Sequence, residues 1–449
     1  MRTEKDRIGE MSLADDKLYG IQTARAVQNF ALDYKRTNLR LVYAIVTVKK
    51  AAALTYQKLG IGKDGVYAAI SEACDMILAG EADDAFVTDA LQGGAGTSTH
   101  MNVNEVIANL ALRKLGFACG RYDVIHPLDD VNRGQSTNDV YPTALRIAAI
   151  QMLRKLSESC AKLQQALQMK ENEFDNISKL GRTELMDAVP ITLGQEFGSY
   201  AQAIARDRWR LYKVEERLRQ VNIGGTAVGT GNNAERKYRF EIIEKLRELT
   251  GIGLATAEYP LDITQNNDVF VEVSGLLKAL AVNLMKIAND LRLMNSGPKG
   301  GLAEITLAPL QMGSTIMPGK VNPVIPEMVM QVAMKVMAND FAISLSASHG
   351  EFELNAFLPL IADSLVENLA LLTNATELFR TKCVDLIKPN AERCRELLEN
   401  SYAFATAYTS SVGYDKVSAI IAESGGNPQK ARELLDDLQS HPGMDDATS

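Results

Sequence analysis

Residues 313–327 read GSTIMPGKVNPVIPE and place Ser314, Lys320 and Asn322 among two glycines and three prolines. The prolines rule out a regular helix here. A phosphate-binding loop needs four residues between its first glycine and the Gly-Lys pair, then a hydroxyl. Here five residues separate Gly313 from Gly319, and Val321 follows Lys320 without a hydroxyl. No strand pattern precedes the stretch, so nucleotide hydrolysis is excluded. Acid–base chemistry fits the residue types better. A lysine with backbone N–H groups can bind a carboxylate and stabilise extra negative charge on it. A nearby serine can take a proton from the adjacent carbon if its own oxyanion is stabilised by the same donors. Gly313 and Gly319 permit close backbone approach, and Pro318 and Pro323 reduce the freedom of the loop. A proline-rich connector with a solvated lysine has the same composition, and at this point both readings stand.

Three further turns carry hydroxyls. In VNRGQSTND (131–139), Ser136, Thr137 and Asn138 lie where a long helix begins, with Pro142 in its first turns. In GGAGTSTHMNVNEV (93–106), glycines lead to Thr97, Ser98 and Thr99 before a helix expected to start near Asn102. N–H groups and hydroxyls at helix N-termini make anion sites, though plain capping uses the same residues. GRTELMDAVP (181–190) sets Thr183 beside Glu184, which as an isolated loop glutamate would simply be solvated. Three hydroxyl-rich turns and one lysine loop suit a small polyanionic substrate such as a dicarboxylate, not a hydrophobic ligand.

Long helices must position these turns. Leu145, Ala149, Met152, Leu156, Cys160, Leu163, Leu167 and Phe174 recur at steps of mostly three and four, keeping one apolar stripe. Val269, Val273, Leu276, Leu280, Leu284, Ile287, Leu291 and Met294 repeat the pattern. Residues 325–345 and 355–385 read as helical by the same test. Seams of this length suit a bundle of nearly parallel helices. Strand signals are weak, with aromatics at 6% and few alternating β-branched runs. Glycine, proline and polar clusters at 91–99, 126–139, 180–192, 222–233 and 295–326 punctuate the chain, and a break near Pro389 precedes a tail of short helices. Long loops in a compact domain tend to be functional or disordered. The expected division is an N-terminal helical domain (1–137), a central long-helix bundle (138–389) and a small C-terminal helical domain (390–449).

Bulk properties exclude several classes. The chain has 449 residues and a net charge of −8, which argues against a nucleic-acid partner. Its five cysteines are scattered without a CxxC pair, and its four histidines, His100, His126, His349 and His441, are far apart. A disulfide framework or structural zinc site is therefore not expected. The first fifteen residues are charged throughout and no apolar run is long enough to span a bilayer. A soluble cytoplasmic protein without a signal peptide is expected.

In combination the motifs resemble the aspartase/fumarase superfamily. GSTIMPGKVNP is similar to its signature; GGAGTS, QSTND, GRT-x-x-x-DAVP-x-TLGQEF and GGTAVGTG follow its other segments in order. The resemblance runs from about Arg7 to about Tyr414, and QGGAGTS and QSTND look closer to aspartase than to fumarase. It implies an all-α, three-domain subunit whose central helices associate in a homotetramer with a twenty-helix core. Each active site would draw segments from three subunits. The implied reaction is anti β-elimination through an aci-carboxylate intermediate, with no metal or organic cofactor. By the same resemblance Ser314 is the base on a mobile loop. Lys320 and Asn322 hold the carboxylate whose charge grows, and Thr97, Ser98, Ser136, Thr137, Asn138, Thr183 and Glu184 face the substrate.

Departures from the family pattern concern the leaving group. Histidine or glutamine usually follows Thr183, whereas this chain has Glu184. A carboxylate about 4 Å from a cation is worth up to about 4 kcal/mol at an effective dielectric of 20, before desolvation. Glu184 therefore favours a cationic leaving group over water, and it bears against plain aspartate, whose second carboxylate it would repel. His100 replaces a usual asparagine, Arg133 a usual Met or Lys, and His349 a small residue, while TSSVGYD lacks the usual Asn-Pro. The expected activity is an aspartate ammonia-lyase-like carbon–nitrogen lyase. The alternatives are an amine-lyase on a betaine such as ergothioneine, releasing trimethylamine, a fumarate hydratase, and a non-catalytic relative.

Overall fold

The computed structural model describes residues 1–440; His441 lies outside them. In chain order it contains strands β1 (Arg2–Lys5) and β2 (Glu10–Leu13), then helices α1 (Ile21–Asn29), α2 (Leu39–Leu59), α3 (Val66–Leu78), α4 (Thr97–Lys114) and α5 (Thr137–Glu173). Strands β3 (Ser178–Thr183) and β4 (Met186–Thr192) lead to α6 (Leu193–Leu218), β5 (Gln220–Val221), α7 (Arg236–Thr250), β6 (Ala255–Thr256), α8 (Pro260–Gln265) and α9 (Asp268–Met294). After β7 (Ile305–Thr306) come α10 (Val324–Ala347), α11 (Leu358–Lys382) and β8 (Lys388–Pro389). Four short helices follow: α12 (Ala391–Glu399), α13 (Thr409–Val412), α14 (Tyr414–Glu423) and α15 (Pro428–Ser440).

The mainly helical fold agrees with the apolar periodicity, and all four long segments expected to be helical are. Every residue of the α5 stripe from Leu145 to Phe174 is buried. On α9 the same holds except at Leu276, which is half-exposed while Leu277 is buried in its place. Helix α4 begins at Thr97, earlier than the expected start near Asn102, and is buried on all sides from Thr99 to Leu112. An all-round buried helix has no polar face to reveal its period, which explains the misplaced start.

One segment differs in kind. Residues 180–192 form not a loop but the antiparallel β3–β4 hairpin, with Thr183 opposite Met186. Gly181 and Pro190 obscure it in sequence, because both normally demote a strand. The pair tolerates them: the register shifts between Leu180 and Arg182, and a Cβ at Gly181 would lie 2.6 Å from the Val189 carbonyl oxygen. Among the described residues all sheets are two-stranded, and only β5–β6 is parallel.

Two compact units emerge in space. The first comprises Met1–Ser157, Trp209–Ala281 and Met334–Thr373; the second comprises Glu158–Arg208, Val282–Ala333 and the described residues from Asn374 onward. The three-domain expectation divides the chain along its sequence, whereas these units take parts of the same long helices. The second unit includes a cluster of short C-terminal helices around Ala405, Val417, Ile420, Ala431 and Leu435. Among the described residues no helix is long and apolar enough to cross a membrane.

Candidate active site

In the first unit, the two glycine- and hydroxyl-rich turns meet. Gly94, Ala95 and Gly96 have φ of 87°, 56° and 94°, a left-handed run that delivers the chain into α4. Gly96 is required twice over, because a Cβ there would lie 2.5 Å from the Tyr141 ring. Thr97 opens α4, exposed, with its hydroxyl donating to the Gly94 carbonyl at 2.7 Å; Ser98 beside it is half-buried. One turn on, His100 is buried, and its Nδ1 lies 2.9 Å from Thr137 Oγ1, the first residue of α5. This bond ties the first turns of two long helices together, and with them two concentrations of free N–H groups and positive dipole end.

The start of α5 is built by its neighbours. Ser136 Oγ accepts the Asn138 N–H at 3.2 Å, and Asp139 Oδ1 accepts the Ser136 N–H at 2.9 Å, a reciprocal cap. The other carboxylate oxygen of buried Asp139 accepts the N–H groups of Gly224 and Thr226, each at 3.0 Å. Burial pushes the Asp139 carboxyl up to about 6, against the opposing effect of these backbone donors. Pro142 has no N–H for the Asn138 carbonyl four residues earlier. Asn222 replaces it, donating from Nδ2 to that carbonyl at 2.9 Å. Asn138 in turn gives an amide proton to the Ala227 carbonyl at 2.7 Å, and among the described residues its own Oδ1 is left free to accept.

Helix α2 supports the same turn from within the core. Buried Lys49 donates to Asn132 Oδ1 at 2.7 Å and Gln135 Oε1 at 3.0 Å. Two turns later, Tyr56 donates to the Arg133 carbonyl at 3.0 Å and stacks between Tyr67 and Tyr238. The Arg133 guanidinium pairs with Glu235 at 3.6 Å and lies over the Tyr56 ring. His349 caps the end of α10, with Nδ1 2.7 Å from the Leu345 carbonyl and its ring edge-on to Phe357. Asp139, Lys49, Asn222 and Glu235 were not singled out in sequence. Only Asp139 had a legible signal, as the acid three residues after a capping serine.

In the second unit, the hairpin and the lysine loop supply the remaining candidates. Thr183 ends β3, and Glu184 and Leu185 form the two-residue turn with φ of 54° and 64°. Positive φ at both positions is the type I′ turn, normally Asn-Gly. Glutamate and leucine there are strained, a condition that clusters at functional sites. At its base the hairpin is held by Glu304, fully buried, which pairs with Lys179 at 3.0 Å and Arg182 at 2.9 Å. Lys179 also bonds Glu196 at 2.7 Å.

The lysine loop closes on itself. The Gly313 N–H donates to the Lys320 carbonyl at 2.9 Å, and Asn322 Nδ2 donates to the Gly313 carbonyl at 2.8 Å. A Cβ at Gly313 would lie 2.5 Å from the Lys320 oxygen, so the closure needs glycine. Ser314 Oγ accepts the Ile316 N–H at 3.2 Å and the Met317 N–H at 2.9 Å. Lys320 is exposed and its ammonium has no ion pair among the described residues. Two amide donors on the serine oxygen can stabilise an alkoxide, and the uncommitted cation of the same loop can stabilise an enediolate. Among the described residues no group of three or more His, Cys, Asp or Glu could hold a metal ion.

Comparison with known proteins gives consistent matches. A family model described as lyase matches residues 9–338. An aspartate ammonia-lyase of Helicobacter pylori is 46% identical over 429 residues, covering 94% of this chain and 91% of that protein. One of Bacillus subtilis is 42% identical over 433 residues, covering 96% and 91%. Among solved structures, a fumarate lyase:delta crystallin of Brucella melitensis, bound to cobalt, superposes with a TM-score of 0.93 at 44% identity over 98% of both chains. A class II fumarase of Schistosoma mansoni has a TM-score of 0.93 at 33% identity, over 98% of this chain and 97% of the other.

Proposed function

The chain belongs to the lyase family of the aspartase/fumarase superfamily, and from that premise we propose that it is an ammonia-lyase converting aspartate to fumarate. The carbon–nitrogen lyase class follows from the relatives at 42–46% identity. The lower identity to a fumarase, 33%, weighs against water as the leaving group. The same relatives favour ammonia over a substituted amine and a catalytic over a non-catalytic protein.

The observation that carries the mechanism is the pair of N–H donors on Ser314 Oγ. As an alkoxide, Ser314 removes the proton from the carbon next to the side-chain carboxylate of aspartate. The electron pair enters that carboxylate, giving an aci-carboxylate whose added charge Lys320 stabilises. Asn322, fixed to Gly313 through one amide hydrogen, retains the other for the same group. Collapse of the intermediate forms the carbon–carbon double bond and breaks the carbon–nitrogen bond, releasing ammonia. Ser98, Ser136, Thr137 and Thr183 supply donors for carboxylates, Thr97 joins them when its hydroxyl turns from the Gly94 carbonyl, and the free Oδ1 of Asn138 accepts from the ammonium. Glu184 faces the leaving amine.

Assembly into a homotetramer with shared sites is part of the proposal, as is residence in the cytoplasm. Met334, Phe341 and Leu345 are 51%, 70% and 50% exposed and recur on one face of α10. Trp209 and Tyr212 on α6 are 64% and 71% exposed. Apolar exposure of this extent marks surfaces meant for partners.

Incubation with L-aspartate, L-malate and a panel of betaines, with ammonia and amine release measured, tests the reading. Ammonia from aspartate is expected, and Ser314→Ala should lower kcat by at least about a hundredfold while the protein stays folded. Near-normal kcat in that variant would remove Ser314 from its role.

A further inference from the structure

His100 raises a question of proton placement. It is 1% exposed, its Nδ1 meets Thr137 Oγ1 at 2.9 Å, and its Nε2 is buried with no hydrogen-bond partner among the described residues. Burial, and secondly the charge of Lys49, holds its pKa well below the ordinary histidine value. The ring is therefore neutral near pH 7 and carries one N–H and one lone pair. With the proton on Nε2, a buried N–H would be orphaned and Thr137 would spend its own proton on Nδ1. With the proton on Nδ1, only a lone pair is orphaned and Thr137 is the acceptor. Orphaned buried N–H groups are the rarer defect.

We infer that His100 is a positioning residue that makes Thr137 a hydrogen-bond donor toward a substrate carboxylate. The His100 Nδ1–H occupies one lone pair of Oγ1, and the threonine hydroxyl proton is left to point away from the ring at the N-terminus of α5. Beside it Asn138, whose amide nitrogen already serves Ala227, presents a carbonyl oxygen. Consecutive residues thus offer a donor for a carboxylate and an acceptor for an ammonium. Asparagine, the residue usual at position 100 in the family, can also donate from its side-chain amide. The inference rests on the ammonia-lyase reading only for the identity of the substrate; its chemical content is carboxylate recognition.

Calorimetric binding of succinate, which has both carboxylates and no amino group to eliminate, tests it directly. His100→Phe and Thr137→Val should each weaken succinate about tenfold, the effect of losing a hydrogen bond to a charged group. The double variant should be no weaker than Thr137→Val alone, because His100 acts through Thr137. His100→Asn should restore affinity to within about threefold. Additive losses, or unchanged succinate affinity in His100→Phe, overturn the inference. Should His100→Phe fail to fold, selective 15N-histidine NMR of the unaltered protein decides: a bare Nδ1 and protonated Nε2 overturn it. Failure of the functional reading looks different, since an enzyme that releases no ammonia from aspartate still reports these succinate affinities. Ammonia release without any succinate binding overturns this inference alone.

Discussion

Asp139 Oδ2 lies 3.0 Å from the backbone nitrogen of Thr226, a residue with φ of 59°. The bond joins the first turn of α5 to the glycine-rich loop that also receives the Asn138 side chain. Three N–H groups, of Ser136, Gly224 and Thr226, depend on this one buried carboxylate. Asp139→Leu would orphan all three, at about 1–3 kcal/mol each, partly offset by no longer burying a charge. The expected result is a lower thermal midpoint, with kcat/KM reduced in the fraction that remains folded. An unchanged midpoint would show that water or a backbone shift replaces the carboxylate.

Lys320 should behave oppositely. It is exposed and holds no ion pair among the described residues, so Lys320→Met should leave the unfolding midpoint within about 0.5 kcal/mol of its original stability. Its charge is needed only when the carboxylate gains charge, so kcat should fall about a hundred- to a thousandfold. A rise in KM with kcat unaltered would mean that Lys320 only binds substrate.

The Glu184–Leu185 turn separates strain from charge. Replacing the pair by Asn-Gly supplies the residues a type I′ turn prefers and should stabilise the hairpin, by up to about 1–3 kcal/mol per relieved residue. Activity should nevertheless drop, because the carboxylate is gone. Glu184→Gln keeps the strained turn and removes only the charge. It should raise KM for aspartate severalfold, because Glu184 faces the amine; a lower KM would show instead that repulsion of the second carboxylate dominates. Steady-state kinetics on both variants distinguishes these outcomes.

How far the sequence could be read depends on where each signal resides. The α5 stripe was legible because its burial follows helical period over about eight turns, and Ser314, Lys320 and Asn322 because glycine and proline spacing marks their loop. The hairpin was not, since Gly181 and Pro190 mask a strand whose pairing is local and two-stranded. Lys49 and Asn222 were invisible for another reason. Nothing around them marks them, Lys49 lying beside Lys50 and Asn222 between Val221 and Ile223, and their partners, Gln135 and the Asn138 carbonyl, are 86 and 84 positions away. Arg133 and His349 stand out as departures from the family pattern, and in the structure Arg133 pairs with Glu235 while His349 bonds the Leu345 carbonyl.

Stability at low pH should depend on Glu367. Burial pushes its carboxyl up, but bonds from Asn339 at 2.7 Å, Lys335 at 3.0 Å and Lys35 at 3.1 Å outweigh burial and hold it at about 2. A carboxylate whose pKa is depressed on folding binds fewer protons in the folded state than in the unfolded one. Its contribution is then fully present above the unfolded value of 4.5 and is lost as pH falls toward 2. Glu367→Gln removes that dependence while keeping an acceptor for Asn339. Denaturant titrations between pH 6 and pH 2 should therefore show the largest gap between the two proteins above about pH 5 and a shrinking gap below it. A gap that stays constant across this range would place the acid sensitivity of the fold elsewhere.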